Sequence, residues 1–86
     1  MKKEIIKRLW VLIKELNTKD RKKCYLEVKI YKKGITGLIN CDNEINNSYF
    51  SIGELGSQKN IIGNAIFKKG ASKADLISIV SNWDLP

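Results

Sequence analysis

Across residues 3–17 the apolar positions are Ile5, Ile6, Leu9, Trp10, Leu12, Ile13 and Leu16, with mostly charged residues between them. At about 100° per residue these side chains share one stripe roughly 160° wide, and only Val11 lies on the opposite side. The pattern predicts an amphipathic helix, ended by the polar run Asn17-Thr18-Lys19-Asp20. Over residues 24–32 the period changes to two. Cys24, Leu26, Val28 and Ile30 point one way, and Tyr25, Glu27, Lys29 and Tyr31 the other, as in a half-buried strand. A turn at Lys33-Gly34 leads into a second strand over residues 35–41. Pairing across it sets Val28 opposite Ile39 and Leu26 opposite Cys41, so both apolar sets fall on one face. On that register Cys24 is diagonal to Cys41, and both cysteines read as small core residues with no bridge required. A stretch rich in turn formers, Asp42-Asn43-Glu44-Ile45-Asn46-Asn47, precedes a third strand over residues 48–52, where Phe50 and Ile52 share a parity.

Residues 57–69 fit two periods. Ile61, Ile62, Ala65 and Ile66 match one helical face, whereas Ile61, Ala65 and Phe67 match strand alternation. The helix is preferred, with Ser57 as its cap and Gly70 as its stop, although Gly63 inside it costs about 1 kcal/mol relative to alanine. The last element is a helix opening on Ser72-Lys73-Ala74-Asp75, a capping box with Asp for Glu. Its apolar face is Leu76, Ile77, Ile79, Val80 and Trp83. The expected fold is therefore α+β: an N-terminal amphipathic helix, a three-stranded antiparallel meander, and one or two C-terminal helices. All helices pack on the sheet face of Leu26, Val28 and Ile39, and the other face is left open. With 86 residues there is room for one core, so the chain reads as a single domain over residues 1–86. An exposed edge of the first or third strand offers a second copy a place to pair as a homodimer.

Charge changes this picture more than composition does. Residues 1–33 hold twelve of the sixteen Lys and Arg against four acids, whereas residues 34–86 hold four basic and five acidic side chains. The whole excess of the net +7 therefore lies in the first third, which favours nucleic acid or an acidic protein surface as partner. The candidate binding residues are Lys19, Arg21, Lys22, Lys23, Tyr25, Lys29, Tyr31, Lys32 and Lys33. Aromatic rings interleaved with cations suit single-stranded nucleic acid, because rings stack on bases while lysines neutralise phosphates. Lysine outnumbers arginine fourteen to two, which leaves little for bidentate reading of base edges.

Catalysis and metal binding find little support. The chain has no histidine, the two cysteines lie far from a Cys-x-x-Cys spacing, and the acids show no paired spacing. No catalytic residue, metal site or cofactor is assigned, and the chain is expected not to be an enzyme. The six glycines follow no phosphate-cradle pattern. The apolar run at residues 9–13 is too short for a secretory leader and no stretch is long enough for a membrane span, so a cytoplasmic protein with reduced thiols is expected.

The run Lys68-Lys69-Gly70-Ala71-Ser72-Lys73 resembles the basic glycine-serine-lysine lead-in to the second helix of double-stranded RNA-binding domains, which share the order α-β-β-β-α. In size and element order the chain is also similar to small phage-encoded anti-CRISPR proteins, a likeness of plan. Two functional expectations follow. The first is a small accessory or regulatory protein that binds nucleic acid through its basic N-terminal third. The alternative is a phage or mobile-element inhibitor of a host nucleic-acid-handling enzyme, acting by protein–protein contact.

Overall fold

The structure is a computed structural model that describes residues 2–19, 23–42 and 47–83. Helix α1 (Lys2–Asn17) is followed by strands β1 (Tyr25–Tyr31), β2 (Lys33–Asn40) and β3 (Tyr49–Glu54). A short 3-10 turn (Gln58–Asn60) then leads into β4 (Ile61–Lys68), and helix α2 (Lys73–Ser81) closes the chain. The strands form one antiparallel sheet in the order β3-β2-β1-β4.

The fourth strand corrects the expected three-stranded meander and the helix preferred for residues 57–69; one C-terminal helix remains. A helix there would bury Ile62 and Ile66 together, yet these are 55% and 54% exposed while Phe67 is 3% exposed. Alternation governs the segment instead, because the central strand needs a neighbour on each side. β1 buries Leu26 and Val28 fully, and β4 brings Phe67 opposite Leu26 and Ala65 opposite Val28. Gly63 faces Ile30, where an added Cβ would come within 3.3 Å of the Ile30 side chain. β1 is thus an inner strand and not the expected edge, and the edges of the sheet are β3 and β4.

The β1–β2 register is shifted by two residues from the expected one. Leu26 pairs with Ile39 and Val28 with Gly37, and Tyr31 opposite Gly34 closes a turn at Lys32 and Lys33. An even shift keeps every side chain on its expected face. It also moves Cys24 from diagonal to directly opposite Cys41, and the two form a buried disulfide with a Cα separation of 4.2 Å. The expectation of two reduced core thiols is corrected accordingly.

Both helices lie on one side of the sheet. Ile5, Leu9, Leu12, Ile13 and Leu16 of α1 join Leu26, Val28, Ile35, Ile39, Phe50 and Phe67 in a single core, to which α2 adds Leu76 and Val80. α2 runs antiparallel to α1 and is tied to it at both ends. The Asn17 side chain accepts from Gly70 N (2.7 Å) and donates to Ala71 O (3.3 Å), and Lys2 Nζ donates to Ser81 O (3.3 Å). The capping box read from the sequence is present: Ser72 Oγ accepts from Asp75 N and Asp75 Oδ2 from Ser72 N, both at 3.1 Å. The result is a two-layer molecule measuring 35 × 28 × 16 Å.

Candidate nucleic-acid interface

Pairing across the four strands fixes which side chains share the helix-free face. One cross-strand row is Asn40, Tyr25 and Lys68; the next is Tyr49, Leu38, Glu27 and Ile66; a third is Ser51, Thr36, Lys29 and Asn64. A fourth row sets Gly53 and Gly34 beside Tyr31. All three tyrosines of the chain therefore stand on this face, with Lys29 and Lys68 as cations and Glu27 as the acid. Tyr25 is positioned by its neighbour, since its hydroxyl accepts a hydrogen bond from Asn40 Nδ2 at 3.2 Å.

The sequence-predicted binding residues are not gathered into one patch. Tyr25, Lys29 and Tyr31 are half-buried on the open face. Lys23 is exposed just before β1 begins, and Lys32 and Lys33 are exposed where it ends. Six steps of about 3.3 Å from Tyr25 to Tyr31 set the two ends of β1 roughly 20 Å apart, and Lys23 and Lys32 lie beyond them. Lys19 is half-buried beyond the end of α1, and its carbonyl accepts a hydrogen bond from Lys69 Nζ. Arg21 and Lys22 lie outside the described residues. The other five cations of the basic third, Lys2, Lys3, Lys7, Arg8 and Lys14, belong to α1 in the opposite layer. Arg8 is engaged there, its guanidinium 4.9 Å from the centre of the Phe50 ring.

Sequence reading missed Tyr49, Thr36, Leu38 and Lys68 as members of the face. The parity that puts Phe50 and Ile52 inward already turns Tyr49 outward, so that residue carried a signal. Lys68 was hidden by the helical reading of its segment. Among the described residues no group of three or more His, Cys, Asp or Glu is placed to hold a metal ion. No helix among them is long and apolar enough to cross a membrane. Comparison with protein-family models, with curated proteins and with solved structures finds no match for the chain.

Proposed function

We propose that this chain is a non-enzymatic accessory or regulatory protein that binds single-stranded nucleic acid across the helix-free face of its sheet. The observation carrying this reading is the placement of Tyr25, Tyr31 and Tyr49 on one uncovered face with Lys29 and Lys68 between and beside them. Flat rings on a sheet surface stack on unpaired bases, and lysines at the face and at both ends of β1 neutralise the backbone. A duplex is the poorer fit, because its bases are stacked inside and show only their edges in the grooves, which leaves the rings no base face to stack on. The cations of the basic third are thus divided: the β1 lysines serve this surface, and the α1 lysines face away from it.

The test is fluorescence anisotropy with a short single-stranded oligonucleotide over a salt series. Binding at about 50 mM salt should weaken steeply as salt rises, since each neutralised phosphate releases counterions. Replacing Lys23, Lys29 and Lys68 together by glutamate should abolish binding, and Tyr31→Ala should weaken it by about 1–3 kcal/mol, the value of one stacked base. No binding at low salt, or binding indifferent to the triple charge reversal, overturns the reading.

A second reading, an inhibitor acting by protein contact, is favoured by one observation. β4 is an eight-residue edge strand with Ile62 and Ile66 exposed and no charge before Lys68, which leaves unpaired backbone for a partner's strand. A single stoichiometric protein captured from host lysate, resistant to nuclease and accompanied by no oligonucleotide binding, would select it.

A further inference from the structure

The open face contains a cavity of about 230 Å³ lined by Glu27, Lys29, Tyr31, Thr36, Leu38 and Tyr49. Its position follows from the register. Thr36 is midway along the diagonal from Tyr49 on β3 to Tyr31 on β1, and the corner beyond it is held by Gly34 and Gly53, which have no side chain to fill the space. The two rings therefore stand on opposite sides of a hollow whose floor is Thr36.

The polar side chains of this hollow leave room for a ligand among the described residues. Thr36 is a buried polar residue, at 6% exposure, whose side chain lines the hollow. Glu27 and Lys29 make no ion pair or hydrogen bond with a described residue. The hollow has aromatic sides and a few convergent polar groups, and at about 230 Å³ it is smaller than a drug-sized pocket and on the scale of one flat ring system. Its chemistry is also specific: an ionised carboxylate accepts only, an ammonium donates only, and a hydroxyl does both.

We infer that this cavity holds one base of the bound strand and that Glu27 selects guanine. The inference rests on the single-strand reading above. Glu27 repels phosphate, so the base and not the backbone enters the hollow. Guanine alone among the four bases presents two adjacent N–H donors, at N1 and N2, beside a carbonyl. The donors match the two oxygens of Glu27, and O6 is an acceptor within the reach of Lys29, a residue type that pairs with this atom elsewhere. Thymine offers one donor between two carbonyls, which sets an oxygen against the carboxylate.

The experiment compares a ten-nucleotide thymidine strand with the same strand carrying one central guanine, for the wild-type protein and for Glu27→Gln. The guanine strand should bind the wild type about five- to tenfold more tightly, as a good two-point base contact allows. For E27Q that ratio should fall to within about twofold, because a neutral amide both donates and accepts and no longer discriminates. Equal binding of the two strands by the wild type, or a preference that survives E27Q, overturns the guanine site and leaves the platform standing. Binding of neither strand at low salt overturns the platform and the site together.

Discussion

Gly37 shows how one missing side chain shapes the core. It lies opposite Phe50, and a Cβ built on it would come within 2.5 Å of the Phe50 ring and 3.2 Å of Leu12. The ring fills the place a side chain would take, and Arg8 rests near its centre. Gly37→Ala should therefore destabilise the fold by about 1–3 kcal/mol through overpacking, seen as a lower urea midpoint at unchanged slope. An unchanged midpoint would place the ring elsewhere. The Cys24–Cys41 bridge spans 17 residues of sequence and closes the hairpin at its open end. Cys24→Ala with Cys41→Ala should remove about 3 kcal/mol of stability, and thiol titration of the denatured protein without reductant should find none free. Two free thiols would contradict the bridge. Structural bridges persist in oxidising surroundings, so thiol titration of protein trapped in its host also tests the cytoplasmic expectation.

Helix α2 depends on its first turn. The Ser72 backbone N–H, and after it the Ser72 hydroxyl, hold the Asp75 carboxyl below its usual value of 3.8. A carboxyl depressed in the folded state contributes its stability above the unfolded pKa and loses it as pH falls through the folded one. Acid below about pH 4 should thus weaken the start of α2, and Asp75→Asn should remove that part of the pH dependence. Ser72→Ala should cost about 1 kcal/mol at neutral pH, measured by thermal or urea unfolding. This box was legible in the sequence because it is complete within four residues. The helix at the other end was equally legible, its stripe being long and nearly unbroken. β4 was not, since Ile61, Ile62, Ala65 and Ile66 also fit a helix and only the need of β1 for a second neighbour decides between them. The cysteine bridge was lost for a related reason: a two-residue change of register leaves the hydrophobic pattern intact, so the pattern cannot report it. The same limit applies to the site. Strand parity brought out Tyr25, Lys29 and Tyr31, whereas Thr36, Leu38 and Lys68 join them only once strand order is known.

The whole molecule is a thin plate, helices on one side and an uncovered sheet on the other. Its positive charge is divided between these sides, with Lys3, Lys7 and Lys14 exposed along α1 and Lys29 and Lys68 on the sheet. Two surfaces could therefore attract a polyanion: the sheet face with its three tyrosines, and the helix side, where the rings of Trp10 and Trp83 are half-buried against the core. Amide chemical-shift mapping with a single-stranded oligonucleotide distinguishes the two surfaces. Binding across the aromatic face should give the largest shifts at Tyr25, Lys29, Tyr31, Thr36 and Tyr49, with α1 nearly silent. Shifts concentrated on Lys3, Lys7, Val11 and Lys14, with the sheet unmoved, would contradict it.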